Sequence, residues 1–212
     1  MGPADTDAFF YDHAARIIAQ ARGNGPVFVL VYLTANHFPW DFRFRPELLP
    51  SWVNPGNPSE VDEYLRRQEL SVADYARFKA RLAREFPDDK FFIVRFGDHQ
   101  PLFARQFLEP ALDQAEVARR ISERDPRYFT TYYATDAVNF RPADLSLALD
   151  TLDAPYLPLV VLEGAGLPLD AAFAEQKRIL KRCHGMFYLC GEGAEARRFN
   201  RLLIDAGLIH GF

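Results

Sequence analysis

Asp98 and His99 are the residues whose chemistry is easiest to assign. They are consecutive and follow an apolar run after a single residue, Gly97, which permits a sharp turn. Together they offer a carboxylate oxygen and an imidazole nitrogen to one divalent cation. Mixed oxygen and nitrogen ligation favours Zn²⁺ or Mn²⁺ over Ca²⁺. The pair therefore predicts a divalent metal site at Asp98 and His99.

His37 is the second candidate, because it also follows an apolar run. Each candidate has a structural alternative. Asp98 could cap the next segment with His99 as a hydrogen-bonded surface residue, and His37 could pack in a loop beside two aromatic rings. The other histidines are interpreted as structural or solvated: His13, His184 and His210.

Two apolar strands are predicted to position these residues. Residues 27–33 and 91–96 are continuous apolar runs with little polar alternation, which is typical of strands covered on both faces. Ligands of open parallel sheets bind beyond the carboxyl ends of the strands. If the two strands are parallel neighbours, His37 and Asp98 lie on the same edge of the sheet.

The remaining pattern alternates between helices and strands. It predicts an α/β fold with a mostly parallel sheet and helices on both faces, in one domain covering residues 1–212. A possible capping box indicates that the second helix restarts at Ser71. Helices are expected at 7–21, 59–86, 112–123, 170–182 and 194–206, strands at 128–138 and 186–189, a helix or strand at 157–165, and a long ordered loop at 38–58.

Composition and charge exclude several classes of function. The chain has 25 basic and 29 acidic residues, a net charge of -4, and no basic tract, so a nucleic-acid partner is not expected. No apolar run is long enough to span a membrane and no export signal begins the chain, so we expect it to be soluble as it stands. Cys183 and Cys190 fit neither a disulfide framework nor a zinc spacing, and their redox state stays open.

The order of these segments resembles a known family. The motifs Asn36-His37-Phe38-Pro39 and Gly97-Asp98-His99-Gln100-Pro101, followed by Tyr128-Phe129-Thr130-Thr131-Tyr132, are similar to the C-terminal half of a sulfatase-like catalytic domain. That places the chain in the alkaline phosphatase superfamily, nearest to the lipoteichoic acid synthase and phosphoethanolamine transferase branch. The resemblance covers most of residues 5–170.

The resemblance implies a mechanism and roles for three residues. A metal-bound serine or threonine alkoxide attacks a phosphate or sulfate ester, and the group then passes to water or another hydroxyl. Asp98 and His99 are two of four ligands to Zn²⁺ or Mn²⁺, and His37 donates a hydrogen bond to the substrate. It also implies that the parent protein is membrane-anchored, with an extracytoplasmic catalytic domain.

The nucleophile and the acidic ligand belong to the N-terminal half of that domain, and no match to them is found here. Thr34 is the nearest hydroxyl to the candidate site but lies in the wrong motif, so no catalytic residue is assigned. Three hypotheses follow. The chain is part of a metal-dependent hydrolase or transferase and inactive alone, a non-catalytic α/β binding or regulatory module that lost the site, or a subunit whose nucleophile comes from another chain.

Overall fold

The computed structural model describes residues 5–23, 25–49, 54–101 and 103–210. The chain divides into two compact units, one containing residues 1–88 and 97–131 and the other containing residues 89–96 and 132–212. The elements assigned in the described residues are, in chain order, α1 (Asp7–Ala21), α2 (Ser59–Glu85), β1 (Phe91–Phe96), α3 (Ala104–Leu108), α4 (Gln114–Ser122), β2 (Tyr133–Val138), α5 (Leu157–Ala165), α6 (Ala171–Cys183) and α7 (Ala194–Asp205).

The packing of α1 against α2 forms the core of the first unit. The ring of Tyr11 stacks on that of Phe78 with centroids 4.5 Å apart. Both side chains are buried, and Leu82 on the same face of α2 is 1% exposed. Asp74 of α2 accepts a hydrogen bond at 2.9 Å from the backbone N–H of Ala8, which is one of the donors at the start of α1 that lack a helical partner.

The predicted restart of this helix at Ser71 is wrong, because α2 runs without a break for 27 residues. Asp74, the residue expected to complete a capping box, bonds Ala8 and Arg77 instead. The apolar face formed by Leu70, Phe78 and Leu82 is buried across the predicted break. Burial of this face stabilises one continuous helix.

The second unit is built on a two-stranded sheet. β1 and β2 are antiparallel, with Phe91 opposite Val138 and Phe96 opposite Tyr133. Helix α5 approaches β1 so closely that a Cβ atom on Gly164 would lie 2.4 Å from the ring of Phe92. Only glycine permits this approach. The core of this unit consists of buried side chains from α5, α6 and α7, from the segment before α5 and from the turn between α6 and α7: Leu147, Tyr156, Leu159, Val160, Ile179, Leu180, Cys183, Phe187 and Phe199.

A disulfide bond joins Cys183 at the end of α6 to Cys190, which answers the question that the sequence left open. The enclosed residues form turns rather than the predicted strand at 186–189. Asp153 accepts hydrogen bonds from the backbone N–H groups of Phe187 and Tyr188, at 2.5 Å and 2.9 Å. These donors therefore have a side-chain partner in place of a β-ladder.

The predicted mostly parallel sheet is wrong. In the described part of the chain, strand pairing is limited to β1 with β2, and it is antiparallel. Residues 27–33 belong to no ladder, and the predicted third strand shortens to Tyr133–Val138 because Pro126–Tyr128 forms a 3₁₀ turn. An apolar, β-branched run shows that a segment favours burial in a sheet, but it does not supply the neighbouring strand.

None of the helices in the described ranges is at once long enough and apolar enough to cross a membrane.

Candidate functional site

The Asp98–His99 pair lies in an exposed turn that follows β1 in the chain. The side chains of Asp98 and His99 are 60% and 62% exposed. Asp98 Oδ1 accepts a hydrogen bond at 2.9 Å from the backbone N–H of His99. His99 Nδ1 lies 2.9 Å from the carbonyl oxygen of Gln100. Because a carbonyl oxygen only accepts, Nδ1 carries the proton, and Nε2 of the neutral ring has a free lone pair.

The remaining donor atoms of the pair are close enough to bind one cation. Asp98 Oδ2 and His99 Nε2 are 3.7 Å apart. Two ligands at about 2.1 Å from a tetrahedral cation lie about 3.4 Å apart, so a small rotation of either side chain meets this requirement. No group of three or more histidine, cysteine, aspartate or glutamate side chains suited to a metal occurs among the described residues. The described residues therefore provide at most two side-chain ligands at this position, Asp98 and His99.

Gln100 fixes this turn to a neighbouring loop of the same unit. Its Nε2 donates to the carbonyl oxygens of Arg127 and Thr130, at 2.9 Å and 2.6 Å. The next carbonyl, that of Pro101, accepts from the backbone N–H of Ala104 at the start of α3. The Asp98–His99 pair therefore precedes a well-bonded segment although its own side chains are exposed.

His37 lies in a loop and stacks on the next aromatic ring. Its ring is 4.3 Å from that of Phe38, and its Nδ1 donates to the Phe38 carbonyl oxygen at 2.7 Å. With Nδ1 engaged in this way, Nε2 carries a proton only when the ring is an imidazolium. A hydrogen bond from His37 to an anionic ester oxygen would therefore come from the charged ring.

A buried arginine holds this loop in place. The side chain of Arg67 is 0% exposed. Its Nη1 donates to the carbonyl oxygen of His37 at 3.0 Å, and its Nη2 donates to those of Pro39 and Phe42, each at 3.0 Å. The guanidinium also lies 4.9 Å from the centre of the Phe42 ring. The Phe44 ring lies 5.5 Å from the same guanidinium, so three loop carbonyls and two rings converge on a single cation of α2.

Glu63 balances the charge of Arg67 and of its neighbour Arg66. Its Oε1 accepts from Arg67 Nε at 2.7 Å, from Arg66 Nη2 at 3.0 Å and from the backbone N–H of Phe44 at 2.9 Å. Burial of Glu63 opposes its ionisation, but the hydrogen bonds from Arg66 and Arg67 outweigh burial, so its pKa is lowered from the ordinary value. The three side chains form a buried, hydrogen-bonded ionic network that we call the Glu63 network.

A cluster of aromatic rings joins the His37 loop to the segment after His99. The ring of Trp40 lies 5.1 Å from that of Phe103 and 5.6 Å from that of Tyr64, in edge-to-face contacts. Tyr64 and Phe103 are 5.2 Å apart. An open apolar groove of about 480 Å³ runs beside these rings, lined by Asn57, Val61, Tyr64, Leu65, Gln100, Phe103, Ala104, Phe107 and Leu108.

The structure therefore brings the candidate residues together only in part. Asp98 Oδ2 and His99 Nε2 lie close to each other. The His37 loop, through Trp40, and the segment after His99, through Phe103, meet in one aromatic cluster. The predicted cause of this meeting, a pair of parallel strands at 27–33 and 91–96, is wrong. Thr34 accepts a hydrogen bond from the backbone N–H of His37 through its carbonyl oxygen, as part of the turn that begins the loop.

Sequence reasoning missed the residues that hold the site. Arg66 and Arg67 follow Glu63 at three and four positions in a helical stretch, a spacing that places opposite charges side by side. That signal indicates an ion pair, but it does not distinguish a solvated surface pair from a buried one. The role of Gln100 has no signal in its local sequence, because its partners are 27 and 30 residues away.

No protein-family model, curated protein or solved structure matches this chain.

Proposed function

We propose that this chain supplies part of the active site of a sulfatase-like, metal-dependent hydrolase or transferase that acts on phosphate or sulfate esters. The observation that carries the proposal is the 3.7 Å separation of Asp98 Oδ2 and His99 Nε2 in an exposed turn. Both atoms are left available by the local hydrogen bonds, and their chemistry suits Zn²⁺ or Mn²⁺.

The residues present divide the work between binding and orientation. Asp98 and His99 hold the cation, and the imidazolium of His37 donates to an ester oxygen. A divalent cation supplies charge that lowers the pKa of a nucleophilic hydroxyl and stabilises charge on the ester oxygens. The nucleophile and an acidic metal ligand come from another stretch of polypeptide, so the chain alone is inactive.

Metal binding tests the proposal, and the chain contains a matched control for it. Asp12 and His13 are also consecutive, but they lie in α1, where Asp12 bonds Arg81 at 2.6 Å and His13 lies 2.9 Å from the carbonyl oxygen of Phe9. Successive helical side chains diverge, so this pair does not converge on one cation. We expect Mn²⁺ to broaden NMR signals of residues 98–100 at concentrations that leave residues 12 and 13 sharp.

The variant Asp98→Asn should remove the broadening at residues 98–100, whereas Asp12→Asn should leave it unchanged. Equal broadening at both pairs would show only non-specific association with carboxylates. Broadening that persists in Asp98→Asn would place the cation elsewhere and contradict the proposed half-site.

Activity gives a second test. Purified chain with Zn²⁺ or Mn²⁺ should hydrolyse 4-nitrophenyl phosphate, 4-nitrophenyl sulfate and bis(4-nitrophenyl) phosphate no faster than buffer with the same metal. The alkoxide is the part of the mechanism that the remaining residues do not replace. Turnover that is lost in Thr34→Ala would overturn this part of the proposal and identify Thr34 as the nucleophile.

A non-catalytic binding module is the second candidate function. The apolar groove beside Phe103 favours it, because the groove requires no metal. Specific Mn²⁺ binding at Asp98 would argue for the enzyme fragment, and its absence would argue for the binding module.

A further inference from the structure

Residues 27–33 are an apolar segment that pairs with no β-strand among the described residues. Neither helix, turn nor bend occurs from residue 26 to residue 34, and no ladder in the described residues includes any of them. The side chains of Phe28, Leu30 and Tyr32 are 78%, 72% and 65% exposed, whereas the intervening Val29 and Val31 are less exposed. Exposure with a period of two is the pattern of an extended strand.

Such a segment is chemically suited to one kind of partner. Its backbone offers N–H and C=O groups on both edges, and a second strand satisfies a row of these groups at once. Its side chains are uncharged and largely β-branched or aromatic on both faces, which favours pairing within a sheet. A ligand that satisfied only the apolar surface would leave the backbone donors and acceptors without partners.

The segment Phe91–Phe96 shows what a similar sequence does when a partner is present. It pairs with β2 along its whole length, and α5 covers it at Gly164. Five of its six residues are Phe, Ile or Val, and five of the seven residues at 27–33 are Val, Phe or Tyr. The two runs are alike in composition and differ in whether a strand lies beside them.

We propose that residues 27–33 bind a β-strand of another polypeptide segment by backbone pairing. The inference rests on the proposed function, which already assigns the nucleophile and an acidic ligand to polypeptide outside the described residues. The segment ends at Leu33 and leads through one turn into His37. One end of an added strand therefore lies beside the His37 loop, where the proposed function requires the nucleophile and the acidic ligand.

A second copy of the chain is a poorer partner than a different segment. Pairing of 27–33 with itself would satisfy one edge in each copy and leave the other edge of both open. An arrangement with open edges continues to add copies and does not close. A separate polypeptide with strands for both edges satisfies the segment completely.

Hydrogen exchange tests the inference with a defined probe. The probe is a capped peptide of alternating valine and threonine, equal in length to the segment, and its control is the same peptide N-methylated at every residue. We expect the unmethylated peptide to slow amide exchange in 27–33 by about tenfold or more at saturation. The N-methylated peptide should have no effect, because it has no N–H donors on either edge.

Three variants strengthen the experiment. Val29→Pro and Val31→Pro each remove an N–H from the segment and should abolish protection, with far-UV circular dichroism checking that the helices persist. The variant Leu30→Lys places a charge at an exposed position and keeps the backbone N–H groups intact. It should weaken the protection of residues 27–33 from exchange without abolishing it.

Three results would overturn the inference. They are absence of protection by the unmethylated peptide, equal protection by both peptides, and concentration-dependent protection without any peptide, which would indicate self-pairing. The proposed function fails separately. Loss of specific Mn²⁺ binding at Asp98 with intact peptide protection would refute the metal half-site and leave the strand-binding segment standing.

Discussion

The two regions that carry the candidate residues are held in different ways. The His37 loop is fixed by a buried cation, since Arg67 bonds the carbonyl oxygens of His37, Pro39 and Phe42 and is itself paired with Glu63. The turn at Asp98 and His99 is exposed and makes short local bonds. The first region is part of the folded core. In the second region, side chains can be substituted without unfolding the unit.

This difference determines which experiments are informative. Substitutions in the Glu63 network test folding, because a buried charge that loses its partner is strongly unfavourable. Substitutions at Asp98 and His99 test ligand binding, because exposed polar side chains away from the core contribute little to stability. The predictions below test this contrast.

The largest effect is expected for Arg67→Met. The substitution leaves Glu63 with one buried cationic partner and leaves three loop carbonyls without a donor. We expect the free energy of unfolding to fall by about 3–5 kcal/mol, measured by urea denaturation. The NMR signals of residues 37–42 should shift more than those of residues 98–100.

Arg84→Met is the matched control for this change. Arg84 lies on the same helix and pairs with Glu85, but its side chain is 68% exposed. Removal of an exposed ion pair should lower the free energy of unfolding by less than about 1 kcal/mol. If Arg67→Met costs no more than Arg84→Met, the Glu63 network does not hold the loop.

The pH dependence of stability tests the charge of Glu63. Its pKa in the folded protein is lowered from 4.5, so its ionisation stabilises the fold fully above that value and progressively less as the pH falls through the folded pKa. Glu63→Gln lacks this component. We expect the variant to be less stable than wild type at pH 7, with a gap that narrows below pH 4.5, measured by urea denaturation from pH 7 to pH 3.

Asp7 provides the opposite case within the same unit. Burial raises its pKa above 3.8 and the charge of Asp74 adds to the rise, whereas nearby polar groups of Ser71 and Ala35 oppose it. Its ionisation therefore disfavours the fold, and this cost disappears as the pH falls through its folded pKa. Relative to wild type, Asp7→Asn should gain stability as the pH rises. The difference in unfolding free energy between Asp7→Asn and wild type should therefore vary with pH in the opposite way to that of Glu63→Gln. If both differences had the same sign and the same pH slope, both pKa assignments would be contradicted.

A smaller effect is expected for Gln100→Ala, which removes the bonds to Arg127 and Thr130. Loss of these bonds in a partly exposed position should cost about 1 kcal/mol in the free energy of unfolding. It should also reduce Mn²⁺ broadening at residues 98–100, because the turn is less fixed. Gln68→Ala, which loses one bond to the Tyr64 hydroxyl, is the control and should leave the broadening unchanged.

The helices of this fold could be predicted from sequence more readily than its sheet. The predicted helix at 7–21 has the same bounds as α1, and the helix expected at 59–86 ends one residue beyond α2. Helical periodicity and end signals are local in sequence. The strand at 91–96 was also predicted correctly, but its antiparallel partner and the unpaired state of 27–33 depend on residues far away in the chain.

The candidate site was predictable to a similar degree. The adjacency of Asp98 and His99 is a property of sequence, and the structure places Asp98 Oδ2 3.7 Å from His99 Nε2, while the shared cation stays a prediction. The meeting of Trp40 with Phe103 and the burial of Arg67 depend on tertiary packing, which a motif does not encode. The pairing of Cys183 with Cys190 was left open for a related reason, because spacing alone does not show that two thiols meet.

The smallest effect is expected at Asp98 and His99 themselves. Asp98→Asn and His99→Ala should each change the free energy of unfolding by less than about 0.5 kcal/mol, because both side chains are exposed and bonded only locally. Two protein ligands also bind Zn²⁺ weakly, since a firm site has three or four. For a Kd above the added Zn²⁺ concentration, ligand linkage stabilises the fold by less than about 0.4 kcal/mol, which is a small shift in a thermal melt. Micromolar Zn²⁺ binding by calorimetry, abolished in Asp98→Asn and retained in Asp12→Asn, would instead show that the chain completes the site with ligands of its own and would contradict the proposed division of the site.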